Sequence, residues 1–312
     1  MEINQGSLQV DIAALEERRA RLFTEGRRVR IAFFIALVLC ISLFAFGWPE
    51  GGFIFLIVGG ITLLVFNQLF VNRRKSFAKE VKNTLINSAL GQVGYGIRLF
   101  PDRGIGADEF NKAELFSNNS DRHESEDLVT GTYHHTPFHF AEVCAKYRDE
   151  TTDSDGKKKV SYQTFFRGIV LAADFNKKLK GQTIVRPKRA GMLGNAIGDF
   201  FNSFRGNVVH LENQQFMQRF VTYGNNDIEA HYVLTPLLME RIIELEDSFN
   251  KRINLSFGNS SVYMAIPFQQ NFFEPALNQS LHHNQFSEDV ALVKSMLNVI
   301  EALDLNTRVW EK

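Results

Sequence analysis

The sequence predicts an α+β fold in which an N-terminal transmembrane helical hairpin is followed by a cytoplasmic domain with an antiparallel sheet and packed helices. Two apolar runs, residues 31–46 and 53–71, lie between clusters of basic residues. Later segments rich in β-branched and aromatic residues are separated by turn signals. Two amphipathic helical stretches lie among and after these strands. Strands in one block with interspersed helices favour α+β over a parallel sheet with crossover helices.

The stretch "WPEGG" at residues 48–52 divides the apolar region into two helices. Proline removes a backbone donor and clashes with the preceding turn, and paired glycines favour a bend. At about 1.5 Å per residue, each run with its flanks spans roughly the 30 Å hydrocarbon layer. A cleaved export signal is disfavoured because no small-residue cleavage pattern follows the run. A hairpin in a soluble core would leave the basic brackets unexplained.

Basic residues on both sides of residues 31–71 predict the topology. The connecting loop carries only Glu50, and lysine and arginine are retained on the cytoplasmic side of membranes. Both ends of the chain are therefore expected in the cytoplasm. A hairpin that dips into the membrane and returns is an alternative with the same outcome. The bracketing residues are Arg27, Arg28, Arg30, Arg73, Arg74 and Lys75.

Residues 1–30 read as a cytoplasmic helix. Its apolar stripe has a three-to-four spacing that is broken at Arg19, and it consists of Leu8, Ile12, Leu15 and Leu22. The stripe is compatible with self-association or with a solvated helix near the membrane. Residues 72–130 are predicted to continue the second helix as far as "GQVGYG" at residues 91–96. A polar segment then follows, either as a linker or as the loop-rich start of the domain.

The cytoplasmic α+β domain is assigned to residues 131–312. "FHFAEVCAKYRDE" and "VSYQTFFRGIVLAADF" form a hairpin across Asp155-Gly156, and "GQTIVRP" is expected as the third strand of a meander. Further strands are "NVVHLE" and a hairpin turning near Gly258-Asn259. One helix begins with Thr235 as N-cap and Pro236 at its first position. The last helix begins at Ser287.

Composition excludes several classes of function. The formal net charge is zero, so no nucleic-acid partner is expected. The two cysteines provide neither a disulfide framework nor a zinc spacing. His134, His135 and His139 fall at a strand entry where their side chains do not converge, so no metal site is expected. The glycines of residues 191–198 lack the lysine of a phosphate loop, and we expect no cofactor.

Two acidic positions are candidate carboxylates. Glu126-Asp127 suits a turn, and no nucleophile or base stands at a recognisable distance from it. Glu142 alternates with phenylalanines on its predicted strand, so we expect it to be partly buried and paired with an arginine such as Arg167. Neither position predicts a catalytic residue.

A basic run beside an apolar helical face predicts contact with anionic lipid, because charge and apolar burial act together at membrane surfaces. The alternative is a basic loop followed by an ordinary core helix. Leu193 and Ile197 complete the apolar face. The candidate lipid-surface residues are Lys177, Lys178, Lys180, Arg186, Lys188, Arg189, Phe200 and Phe204.

From about residue 120 onward the chain resembles the bacterial two-transmembrane family known as domain of unknown function 3137. The motifs that carry the resemblance are "SEDLVTG", "FHFAEV", "FFRGIVLAADF", "FMQRFVTYGNNDIEAHYVLTP", "LSFGNSSVYMAIP" and "FFEPAL". The resemblance implies a multi-pass protein of the bacterial inner membrane with a cytoplasmic domain. It implies no catalytic residues. It suggests a LemA-type membrane protein as a partner.

These observations lead to two hypotheses about function. The first is a non-enzymatic membrane-anchored module that binds a protein partner, a second copy or the lipid surface of the inner leaflet. The second is a membrane-tethered cytoplasmic enzyme of unidentified reaction. A pocket with converging polar groups would favour the enzyme, and an exposed apolar or strand-edge patch would favour the binding module. Two spans without an intramembrane charge make a channel a poor hypothesis.

Overall fold

A computed structural model describes residues 5–45, 49–94, 96–152, 158–175, 177–188, 207–281, 286–303 and 305. The chain divides into two compact units. The first unit comprises Met1–Ser88 and Phe273–Ser287, and the second comprises Ala89–Phe272 and Glu288–Lys312.

The first unit is built on two long helices, α1 (Gln5–Ala45) and α2 (Pro49–Val81). Arg18 pairs with Glu80, and Glu25 pairs with Arg73 at 3.1 Å. Moving seven residues along α1 therefore moves the partner seven residues back along α2, so the two helices run antiparallel. The prediction of two helices separated near "WPEGG" is confirmed. The helical path continues through a π-helix (Lys82–Ile86) and α3 (Asn87–Val93).

The predicted membrane spans at residues 31–46 and 53–71 are not confirmed as spans. Within the described ranges, no helix combines the length and the apolarity needed to cross a bilayer.

The part of the hairpin around Leu15 and Leu22 of α1 has its own small core. Leu15 and Leu22 are buried, so the chain itself covers this part of the apolar stripe on α1. Arg19, which interrupts the stripe, donates to the carbonyl of Leu277 and pairs with Glu16. Leu15 and Leu22 are thus covered within one chain, whereas Ile12 of the same stripe is only half-buried.

The second unit contains one antiparallel sheet with the order β1-β2-β3-β4-β9-β8-β5-β7-β6. Its strands are β1 (Arg98–Phe100), β2 (Arg122–Tyr133), β3 (Thr136–Thr152), β4 (Lys158–Asp174), β5 (Thr183–Pro187), β6 (Asn207–Val209), β7 (Phe220–Gly224), β8 (Asn254–Gly258) and β9 (Ser261–Pro267). Its further helices are α4 (Ala107–Lys112), α5 (Gln214–Arg219), α6 (Asp227–Val233), α7 (Pro236–Phe249) and α8 (Ser287–Ala302).

Two expectations about this unit need correction. The polar segment up to residue 130, expected either as a linker or as the loop-rich start of the domain, is not a linker, because it supplies β1, α4 and most of β2. The expected third strand of the meander, β5, does not pair with β4; it pairs with β7 and β8. β4 pairs with β9 instead. Residues 169–173 of β4 are buried on both faces, which is typical of a central strand, and β9 provides the apolar neighbour that such a strand needs.

Several local predictions are confirmed. β8 and β9 are joined by Asn259 and Ser260, whose φ angles of 50° and 60° match a type I′ hairpin turn. Thr235 caps α7 by accepting from the backbone N–H of Leu238 at 3.3 Å, and Pro236 begins the helix. The acidic first turn of α8 is also present.

One face of the sheet carries a compact apolar cluster that fixes the surroundings of the candidate site. Ile105, Phe110 and Leu115, around and within α4, pack on alternate residues of β3 and β4 such as Val143 and Val170. Because side chains alternate along a strand, Glu142 and Cys144 lie on the opposite face of β3.

Candidate functional site

A polar cleft of about 970 Å³ lies where β2, β3 and β4 meet the segment that follows β9. β9 ends at Pro267, and residues 268–272 leave the line of the sheet. The cleft opens beside this departure. The charged and amide side chains among its lining residues are Glu124, Glu126, Glu142, Lys146, Arg167, Gln269, Gln270 and Asn271.

Two charged side chains of the cleft hold the segment after β9. Glu142 accepts a hydrogen bond from the backbone N–H of Phe272 at 2.6 Å. Arg167 donates to the side-chain oxygen of Asn271. Glu142 is half-buried, as the sequence predicted. Both groups therefore have a positioning role in the structure, and they converge on one loop.

Ser125 and His123 hold the opposite wall of the cleft. Ser125 Oγ donates to the carbonyl of Glu142 at 2.8 Å and accepts from the N–H of Ile105 at 3.0 Å. His123 Nε2 lies 2.8 Å from the carbonyl oxygen of Ile105 and donates to it. A Cβ at Gly104 would lie 2.3 Å from Ser125 Oγ, so glycine is required at this approach.

Cys144 is a half-buried free thiol in the middle of this region. It lies opposite Glu124 on β2 and opposite Arg167 on β4.

A second polar cluster joins α4 to the sheet. His139 Nε2 lies 2.8 Å from Glu109 Oε1, and the hydroxyl of Tyr263 donates to the same oxygen at 3.4 Å. The hydrogen bond from His139 holds the pKa of Glu109 below its ordinary value of 4.5, although partial burial opposes this shift. Burial, with the charge of Glu109, raises the pKa of Tyr263. Glu109 lines two clefts, of about 670 and 570 Å³.

The histidines considered as metal ligands do not converge. His134 and His135 form the turn between β2 and β3, whereas His139 contacts Glu109 from the strand. Across the described ranges, no group of three or more histidine, cysteine, aspartate or glutamate side chains could hold a metal ion. His282 and His283 lie outside the described residues.

The candidate lipid-surface residues do not share one environment. Lys178, Lys180 and Lys188 are exposed. Lys177 donates to the carbonyl of Tyr232 at 3.0 Å and lies 4.3 Å from the centre of its ring. Arg189, Phe200 and Phe204 lie outside the described residues, as do Leu193 and Ile197.

Arg186 corrects the predicted basic surface. Its side chain is buried, and it donates to the carbonyls of Leu115 at 3.1 Å and Glu114 at 2.8 Å. Burial lowers the pKa of Arg186 to about 10, so the group is still charged at neutral pH. Arg186 stabilises the interior and does not face a headgroup. Its position on a short strand of buried residues is the signal that sequence reasoning overlooked.

Residues 31–69 of the hairpin in the first unit expose an extended apolar surface. Among the described side chains between residues 31 and 69, fifteen large apolar ones are 44–72% exposed. They are Ile31, Phe33, Phe34, Ile35, Leu37, Val38, Leu39, Ile41, Phe53, Ile57, Ile61, Leu64, Val65, Phe66 and Leu69. Neighbouring positions such as 33, 34 and 35 lie on different sides of a helix, so the exposed surface is not a single stripe.

Comparison with known families matches residues 164–305 to a model described as "Protein of unknown function (DUF3137)". This part of the chain is similar to the DUF3137 family. The DUF3137 match begins inside β4 and ends after α8, so it does not include the helical hairpin. The two-transmembrane feature implied by the resemblance is therefore not confirmed by it.

Two further comparisons add little to the DUF3137 match. No curated protein matches the chain. A solved structure, the mycobacterial trehalose monomycolate transport factor A (TtfA), is similar over 74% of this chain and 94% of its own. The two share 9% sequence identity with a TM-score of 0.32, a level of similarity that supports no statement about this chain.

Proposed function

We propose that this chain is a membrane-anchored binding module whose hairpin is embedded in the bacterial inner membrane through residues 31–71. The exposed apolar surface on α1 and α2 carries the proposal. Burying apolar surface contributes about 25 cal/mol per Å² to stability. An apolar environment around the fifteen exposed large side chains of the hairpin would therefore stabilise it substantially. A helix that is apolar on all sides is typical of a membrane segment or of a buried core.

The charged residues around this surface support an orientation. Arg27, Arg28 and Arg30 are exposed on α1 just before this apolar surface begins. Arg73, Arg74 and Lys75 are exposed on α2 just after it ends. Basic residues that flank the apolar part of a helical hairpin on both helices favour a cytoplasmic location for both termini. The second unit would then lie in the cytoplasm.

The second unit is the binding part of the proposal. The charged groups Glu142 and Arg167 of the polar cleft hold the loop after β9, which favours a structural use of that cleft. Its bound partner would be a protein, for which a LemA-type membrane protein is one candidate, or the lipid surface. Among the described members of the basic run, Lys178, Lys180 and Lys188 are exposed and would approach anionic headgroups.

Alkaline extraction of native membranes tests the anchor. Phe34 and Leu64 are 63% and 72% exposed, so replacing both with arginine should leave the packing of the hairpin intact. Arginine at the centre of a membrane segment costs about 3 kcal/mol, and two of them should move the chain into the soluble fraction. Ile228→Arg is the matched control, because Ile228 is 82% exposed but lies in the second unit. Extraction of the wild-type chain by alkali would overturn the anchor.

The alternative function is a membrane-tethered enzyme, and the cluster of Glu109, His139 and Tyr263 is the observation in its favour. An ionised carboxylate that orients a histidine beside two clefts is an arrangement suited to proton transfer. The Glu109→Gln and His139→Ala variants test it. Loss of the cellular role of both variants, with normal abundance and folding, would favour the enzyme over the binding module.

A further inference from the structure

β3 and β4 extend well beyond the strands that flank them. β2 pairs with β3 only as far as Lys146, and β9 pairs with β4 only as far as Gly168. Residues 147–152 and 158–163 therefore pair only with each other as a two-stranded arm, and no other strand in the described parts of the chain covers its β4 edge. Such an edge presents unpaired backbone N–H and C=O groups and is a template for pairing with another strand.

The β4 edge of the arm also presents apolar side chains. Val160 is 43% exposed and Tyr162 is 37% exposed. They are two residues apart, so they lie on the same face of the strand. The guanidinium of Arg122 lies 3.5 Å from the centre of the Tyr162 ring and holds that ring in place. Lys158 and Lys159 occupy the end of the same edge.

We propose that this edge pairs with the same edge of a second copy of the chain, antiparallel, with Ser161 on the two-fold axis. This register places Val160 of each copy opposite Tyr162 of the other. Aromatic and β-branched cross-strand pairs stabilise antiparallel sheets. A two-fold interface requires such self-complementarity, because the same patch is used on both copies.

The charges of the edge select this register over its neighbours. Centred on Ser161, Lys159 faces Gln163 and Lys158 faces Thr164, so no lysines are opposed. A register centred on Lys159 would place two lysines directly opposite each other, which is destabilising. A register centred on Tyr162 would place Val160 opposite Thr164 and would lose the apolar pair. The pairing does not require the hairpin to lie in a membrane.

Disulfide trapping of the full-length chain in detergent tests the pairing. In a Cys40→Ser, Cys144→Ser background, Ser161→Cys would place two thiols directly opposite each other. Opposed Cα atoms in antiparallel strands lie about 4.5–5.5 Å apart, within the range of a disulfide. We expect mild oxidation to convert most of this variant to a covalent dimer. Val160→Lys in the same background should reduce the yield about fivefold.

Two matched variants test the register. Gln163→Cys alone should stay monomeric. Residue 163 would face Lys159 of the second copy, and the cysteine at position 163 of that copy would lie four residues away along its strand, about 13 Å. A mixture of Lys159→Cys and Gln163→Cys chains should cross-link as a heterodimer. If folded Ser161→Cys chains stay monomeric, no second copy occupies this edge and the proposal fails. Equal cross-linking of Ser161→Cys and Gln163→Cys alone would indicate random collision and would also overturn it.

Discussion

At the scale of single residues, burial decides what a charged side chain does. Arg186 belongs to a basic run in the sequence, yet its guanidinium is buried and donates to the carbonyls of Glu114 and Leu115. Lys188, two residues later, is exposed. A basic run therefore divides into one interior residue and several surface residues, and only the latter are available to a partner.

Replacing Arg186 with leucine should lower the free energy of unfolding by about 1–3 kcal/mol, because it leaves buried carbonyl groups without their donor. The matched change Lys188→Leu should have little effect, since that side chain is exposed. Thermal unfolding of the purified chain, followed by circular dichroism, measures both. Equal stability of the Arg186→Leu variant and the wild type would contradict an interior role for this arginine.

Glu109 should make the stability of the second unit depend on pH in the acidic range. Its pKa in the folded chain lies below 4.5, mainly because of the hydrogen bond with His139. The stability that this carboxylate contributes is therefore complete above about pH 4.5 and is lost as the pH falls through the folded-state pKa. Melting temperatures recorded from pH 6 downward should fall more steeply for the wild type than for Glu109→Gln. Parallel curves would show that the contact does not stabilise the ionised form.

At the scale of elements, Gly168 marks the point where β4 gains its neighbour β9. Its φ is 158°, and a Cβ there would lie 2.1 Å from the carbonyl oxygen of Ile266. That oxygen belongs to a paired strand and cannot move freely. The close approach of the two backbones therefore depends on the missing side chain.

Gly168→Ala should destabilise the chain by at least about 1–3 kcal/mol, since both the backbone conformation and the contact are unfavourable. Gly91→Ala is the matched control, because nothing lies within 4 Å of a Cβ built at that helical position. The control should be neutral or stabilising by about 0.5–1 kcal/mol. Denaturant titration compares the two variants, and a neutral Gly168→Ala would refute the close approach.

At the scale of the whole molecule, local sequence signals predicted where helices, strands and turns lie better than they predicted which strands pair with each other. The hairpin break, the turn at residues 258–259 and the Thr235 cap all rest on residues adjacent in sequence, and all three are observed. The position of β9 beside β4 rests on contacts between distant residues, which no local pattern encodes. β2 was missed because its first half alternates polar residues on an exposed edge region.

The candidate site shows the same division. The partial burial of Glu142 followed from its alternation with phenylalanines, but its contact with the N–H of Phe272 depends on where β9 ends. The cluster of Glu109, His139 and Tyr263 joins three elements that are far apart in the chain. Sequence spacing could not bring these side chains together.

The central claim is that the exposed apolar part of the hairpin lies within a lipid bilayer. A polarity-sensitive fluorophore attached to Leu64→Cys, in a Cys40→Ser, Cys144→Ser chain reconstituted into liposomes, measures this most directly. We expect blue-shifted emission that is quenched by nitroxides on the acyl chains. The same label at Ile228→Cys should emit as in water and escape that quenching. Water-like emission from position 64, without quenching by the lipid nitroxides, would contradict the claim.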